Sequence, residues 1–329
     1  MIGVGIHDGI PAETYHADPC PEPSLSRSGI QTLLTETPAV FAANHPRLTE
    51  WHEWQAESNA TDSTDLGEVV HAMVLGVGAS YVVRDPWDFI APKTGKPYET
   101  WSGLAKEWRD ALRARGGLQI DRETHARALQ IAAKLTEAIE RRFGAEAWAA
   151  RRCEQTMVWK RVLNGHCSDA SDCEHCGKCW IWCRGRADAI LPDGTIIDVK
   201  TTAFSLSSDA ELGKRIALDD LDLQHCWYQD GYVAASANAT SREVIRQIAD
   251  TCRPPFIFAY VLTNPPFTVC FVDLDDPDLN WPLRTIRTRI DMAAHTFGAC
   301  QALGTWPDRP IEAKPVYPPW LAIRMLEEA

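Results

Sequence analysis

The sequence predicts an α/β fold in which a central mixed sheet is flanked by helices. Three observations lead there. Apolar residues recur with helical period over about 103–114 and 121–143; the period changes to two from Glu154 to Lys200; and a helical stretch over about 221–236 is followed by two more extended runs and a closing helix. With 329 residues, 45% hydrophobic and 24% charged, the chain has enough apolar material for a substantial core, as one large domain or one domain with appendages.

Taken in order, the first stretch reads as a helical lead-in, assigned to residues 1–60. Ser26 or Ser28 caps a helix over Gly29 to Leu34, and Pro38 interrupts or restarts it. A second helix begins with Asp65 as cap and Glu68 three residues on, and Leu66, Val69, Val70, Met73 and Val74 keep its period. A Pro- and Gly-containing loop through 92–97 leads to the two amphipathic stretches. Glu154 to Val162, Trp180 to Leu191 and Thr195 to Lys200 then read as consecutive antiparallel strands, with Pro192-Asp193-Gly194 as a hairpin turn. Further strands follow near Phe256–Leu262 and Phe267–Val272, around the turn Thr263-Asn264-Pro265-Pro266, and the last helix spans about 281–303. The main domain is expected over 61–303, followed by a proline-rich tail over 304–329.

Charge and hydropathy limit the function classes. The N-terminus lacks a basic start followed by an apolar run, and no run of about eighteen apolar residues occurs, so a cytoplasmic location and no membrane partner are expected. A net charge of -12 argues against a broad basic face that coats nucleic acid. Any such contact has to be local. Arg151, Arg152, Lys160, Arg161, Arg184, Arg186 and Lys200 form one basic stretch, which is either a set of phosphate contacts or a solvated face.

Four short motifs fall in one order: Gly67-x3-His71, Gly185-x2-Asp188, Asp198-x-Lys200 and Gln224-x3-Tyr228. Each alone is weak; together they are fairly specific. Asp198 and Lys200 share one side of a strand because alternate residues do, and Gln224 and Tyr228 share one face of a helix. Two carboxylates near an imidazole and a lysine suit a divalent ion that activates water and offsets charge on a phosphodiester. In this order the motifs resemble the PD-(D/E)xK nuclease superfamily, its RecB-like branch and, within it, the phage and prophage exonuclease VIII type. Tyr15-His16 and Leu25-Ser26-Arg27-Ser28-Gly29 resemble the opening of those proteins, as does the 92–95 loop, so the resemblance spans roughly residues 15–300.

The resemblance implies a restriction-endonuclease-like core. It also implies Mg2+ or Mn2+ held by His71, Asp188, Asp198 and the main-chain carbonyl of Val199, with Lys200 steadying the attacking water or the phosphate, and Gln224 and Tyr228 contacting DNA or bracing the site. Glu154 stands where related enzymes often carry a supporting acid, or is an exposed edge residue. Trp159, Trp180, Trp182 and Trp227 are read as core or hairpin packing rather than as base-stacking groups.

The implied activity is exonucleolytic hydrolysis of linear double-stranded DNA from its ends, 5′ to 3′, by a ring-like homo-oligomer working beside a single-strand annealing protein in a bacterial host or encoded by a phage. Alternatives are a single-strand-specific or endonucleolytic enzyme, and a non-catalytic zinc-stabilised DNA-binding module. A separate feature is the cysteine-rich stretch expected as a hairpin insertion over 164–183. Cys167, Cys173, Cys176 and Cys179 supply four thiolates for structural Zn2+ or an iron–sulfur cluster, with His166, His175 and Cys183 as competing ligands.

Overall fold

The computed structural model describes residues 1–48, 62–97, 103–113, 117–163, 180–206, 208–237 and 253–310. The thiols at 167, 173, 176 and 179, with His166 and His175, lie outside the described residues, as does the end of the proline-rich tail.

The lead-in holds β1 (Gly5–His7), α1 (Ala12–His16), β2 (Ser24–Leu25), α2 (Arg27–Thr35) and α3 (Pro38–Asn44). Ser26 caps α2 by accepting from the Gly29 amide at 3.2 Å, and Thr37 caps α3 just ahead of Pro38, where a missing N–H costs nothing. The two short strands were not legible as strands: neither has an apolar run, and each owes its geometry to a partner already in the sheet.

Next come α4 (Asp62–Leu75), β3 (Ser80–Arg84), α5 (Gly103–Arg113), β4 (Gly117–Asp121), α6 (Arg122–Phe143) and α7 (Ala145–Ala149). α4 starts one turn earlier than expected, so Asp65 is not its cap; it lies within the helix and pairs with Arg113 at 2.5 Å. β3 and β4 form a separate parallel pair. The main sheet then builds from β5 (Arg152–Val162), β6 (Trp180–Ile190) and β7 (Ile196–Thr202). After α8 (Asp209–Leu218) and α9 (Leu221–Ser236) come β8 (Phe256–Leu262) and β9 (Val269–Asp273), and α10 (Leu283–Leu303) closes the fold.

The strand order is β1-β5-β6-β7-β8-β9, with β2 parallel to β6. β5, β6 and β7 are antiparallel neighbours, β7 and β8 are parallel, and β8 and β9 antiparallel. The expected mixed sheet flanked by helices is therefore present. β5 and β6 stay paired as far as Val162↔Trp180, so the cysteine-rich stretch enters and leaves from adjacent strand ends.

Two cores lie on opposite faces. One joins Met157, Trp159, Ile196, Phe256 and Phe258 to Trp227 of α9 and Phe297 of α10; the other joins Ile197, Val199, Ala259 and Val261 to Val70 of α4 and Leu135 of α6. Trp159 and Trp227 pack with ring centroids 4.7 Å apart in the first core, as the packing reading expected. Gly231 lets α9 approach: a Cβ there would stand 2.7 Å from the Trp159 ring.

The N-terminal segment is locked to β6 by a buried polar knot. Asp18 accepts from the Ser24 amide at 2.8 Å and from its hydroxyl at 2.7 Å, and faces Arg184 at 3.1 Å and His45 at 3.3 Å. Burial alone would raise the Asp18 carboxyl, but the His45 ring, the Arg184 guanidinium and the Ser24 donors outweigh it and hold it at about 2.

Candidate metal centre where two strands part

The site lies where β6 and β7 separate. They pair at Ile190↔Ile196 and Ala189↔Ile197, and the ladder stops there. The next opposed positions are Asp188 and Asp198. Across the other edge of β6, pairing skips the position that opposes Glu154 to Asp188, between Cys153↔Ala189 and Gln155↔Ala187. Glu154, Asp188 and Asp198 thus form one row across three neighbouring strands, since opposed residues lie side by side.

Glu154 has φ 53°, left-handed backbone that a side chain with a Cβ rarely adopts. Its effect is visible in the packing. Met157 and Ala187 join the core under α9, whereas Ala189 lies in the core under α4 and Cys153 packs against it, although all four are odd-numbered positions on regular strands. Alternation is broken at this row, so its carboxylates can meet groups from both faces of the sheet.

From one face comes His71. Gly67, one turn earlier in α4, allows the approach: a Cβ there would meet the Thr201 hydroxyl of β7 at 2.9 Å. His71 Nε2 lies 3.1 Å from Asp188 Oδ2 and its Nδ1 3.7 Å from Glu154 Oε1. Arg186 pairs with the other Glu154 oxygen. Asp188 Oδ2 also accepts the Val199 N–H at 2.8 Å, a bond that bridges the gap between the strands.

From the other face comes α9. Gln224 donates its amide to Asp198 Oδ1, and Lys200 Nζ is 2.6 Å from Asp198 Oδ2. Tyr228, four residues on, lies against Gly185, where a Cβ would be 3.3 Å from its ring. Burial pushes its phenol well above 10, so it is neutral and braces the strand. The glycines of two motifs thus have a steric purpose; Lys200 meets Asp198 two residues away on the strand, and Gln224 and Tyr228 both face the sheet from α9.

Electrostatics separates the two aspartates. Burial pushes Asp198 up to about 6, with Lys200 working against it and Asp188 adding to it. Asp188 is only partly buried, and although desolvation would raise it, the His71 imidazolium and Lys200 hold it below the usual range. His71 is opposed by burial, yet the Asp188 and Glu154 carboxylates raise it to about 9.

One ligand atom each from His71, Glu154 and Asp188 lies within 4.8 Å of the others, close enough for a single ion. Two carboxylates and an imidazole suit Mn2+ well and Mg2+ less well. Asp198 is 1% exposed and its Oδ2 has no hydrogen bond, only the lysine charge, so it is the acid that a divalent ion would relieve most. The residues present therefore fit the ion. Glu154, left open between supporting acid and edge residue, stands beside His71 and Asp188 in this cluster. Its signal in the sequence was only a lone acid at a strand start, and the left-handed turn that recruits it leaves no mark in hydropathy.

Replacing Glu154 by Gln is expected to weaken Mn2+ binding about tenfold or more, in isothermal titration, with the fold retained. An unchanged affinity would place Glu154 outside the centre. Binding should also strengthen as pH rises from 7 to 9, because the ion must displace the His71 proton; calorimetry in buffers of different ionisation heat should show that proton released, and His71→Ala should abolish it. The sign for the metal-free protein is opposite: the His71 pairing stabilises the fold fully below 6.5 and the contribution fades as pH passes about 9.

The basic stretch is largely engaged within the protein. Arg151 donates to the carbonyls of Val74, Leu75 and Trp148, and Arg161 pairs with Asp230 and Asp291. Arg184 belongs to the Asp18 knot, Arg186 to Glu154, and Lys160 lies over the Trp180 ring. Of the others in the stretch, Arg152 is exposed and lies 3.9 Å from Asp8, and Lys200 faces Asp198. Cys183 is fully buried in β6 within the core under α9, and burial raises its thiol.

No described protein family matches the chain, and no curated protein matches it in sequence. Among solved structures, that of a "putative exonuclease" from Eubacterium rectale is similar over 94% of this chain and 97% of its own, at 14% identity and a TM-score of 0.49. The structure of a protein named SSO0001 is similar over 52% of this chain and 58% of its own, at 13% identity and a TM-score of 0.27. No helix among the described residues is long and apolar enough to cross a membrane.

Proposed function

We infer that the protein is a metal-dependent deoxyribonuclease acting on the ends of linear double-stranded DNA. The observation that carries this reading is the row Glu154–Asp188–Asp198, met by His71 from one face and by Lys200 and Gln224 from the other. His71, Asp188 and Asp198, with the Val199 carbonyl and Glu154, would hold Mg2+ or Mn2+. The ion supplies a water of lowered pKa and positive charge against the phosphate.

The chain's own groups do the rest. Val199 N–H and His71 fix one carboxylate, and Gln224 fixes the other. Lys200, held at 2.6 Å from Asp198, presents a compact ammonium to the charge that develops on the phosphate oxygens. The 5′ to 3′ polarity, ring assembly and annealing partner rest on the family resemblance, whereas a thiolate-bound Zn2+ or iron–sulfur cluster in the cysteine-rich stretch rests on the spacing of its cysteines alone.

The test compares linear duplex, covalently closed circular duplex and single-stranded DNA with Mg2+ or Mn2+. Loss of linear duplex alone, absent in Lys200→Ala protein, is expected. Cleavage of circles would make the enzyme endonucleolytic, and no hydrolysis of any substrate would overturn the reading.

A further inference from the structure

We propose that Phe204, with Arg215 over its ring, is the platform on which a base of the bound DNA strand stacks beside the carboxylates. This deepens the nuclease reading and rests on it. Lys200 and Thr202 alternate on β7 with Asp198, and Phe204 follows two residues past the strand's end, within about 14 Å of Lys200 along the chain.

Its position is built. Thr202 Oγ1 accepts the Phe204 N–H at 3.1 Å, and the Thr202 carbonyl accepts the Thr263 N–H at 2.8 Å, so the start of the loop is tied to the turn after β8. Yet the side chain is 60% exposed. The Arg215 guanidinium, on α8, stands 4.4 Å from the ring centroid and is itself fixed by Asp219 at 2.6 Å. One part of the ring is thus covered by a held cation and the remainder is left to solvent.

A base has what this arrangement lacks. It offers a flat apolar partner whatever its identity, and the phosphates on either side of it are drawn to Arg215 and Lys200. In a chain of net charge -12, a cation held over the ring and a lysine four residues before it on the chain mark a local lane for a polyanion. Trp87 and Met292 are as exposed, but they sit on a short turn after β3 and on α10, which carry none of the site residues.

The experiment uses the full chain with Asp198→Asn to stop hydrolysis, and DNA carrying 2-aminopurine at each of the last positions in turn; KM and kcat are measured in parallel on the hydrolysing protein. Phe204→Leu is expected to weaken binding and raise KM about tenfold, to remove the change in 2-aminopurine fluorescence, and to leave kcat nearly unchanged. Phe204→Trp should restore both. Unaltered binding and KM in Phe204→Leu would overturn the platform while hydrolysis stands. Phe204-dependent binding by a wild-type protein that hydrolyses nothing would keep the platform and overturn the nuclease reading.

Discussion

Alanine in place of Asp198 is expected to lower hydrolysis of linear duplex by about a thousandfold or more, with the fold intact. This carboxylate is the most buried member of the row, and it alone touches both Lys200 and Gln224. Its removal costs the ion a ligand and frees the ammonium that faces the phosphate. Asn at the same position should lose activity similarly but raise the melting temperature of the metal-free protein. The sign follows from burial: with the carboxyl pushed up from 3.8 to about 6, its ionisation costs the native state stability that is fully lost above pH 6, and a neutral amide removes a cost of about 3 kcal/mol. A variant that is both inactive and more stable separates a functional carboxylate from a structural ion pair, which would melt earlier.

The largest effect on stability is expected at Asp18, far from the row in sequence. Asp18→Ala leaves Arg184, buried in β6, without its carboxylate, and breaking a buried pair of this kind costs about 3–5 kcal/mol. Thermal unfolding should show the loss as a drop of roughly 10 °C. Because the carboxyl is held at about 2, the knot's contribution is complete above 3.8 and fades as pH falls toward 2, so wild type and variant should converge in acid. A drop in melting temperature within error of zero would mean that the N-terminal segment is not fastened through Asp18. The segment matters to the site because β2 pairs with β6, the strand that carries Asp188.

Much of this was legible in the sequence, for reasons that individual residues make plain. Asp198 with Lys200, and Gln224 with Tyr228, were assigned to shared faces from strand and helix periods alone, and the ion pair and the helix contacts obey those periods. Gly67 and Gly185 read as motif members, and a Cβ at Gly67 would collide with Thr201 of β7 while one at Gly185 would crowd the Tyr228 ring of α9.

What stayed hidden depends on partners rather than on local chemistry. β1 and β2 are strands because β5 and β6 offer them an edge, and Ser24-Leu25 carries no signal of its own. The basic run looked like a surface feature because the acids that engage it, Asp18, Asp230 and Asp291, come from distant segments. The hardest to foresee was Glu154. A left-handed residue inside a strand turns the alternation over, and period-two reading assumes that this does not happen.

The proposed activity depends on one ion shared among the groups that reach the fork between β6 and β7. Crystals soaked in Mn2+ and measured at the manganese edge would test that directly. An anomalous peak within ligating distance of His71 Nε2, Asp188 and Asp198 is the expected result; a protein that takes up no Mn2+ there, with those side chains still locked to one another, would contradict it.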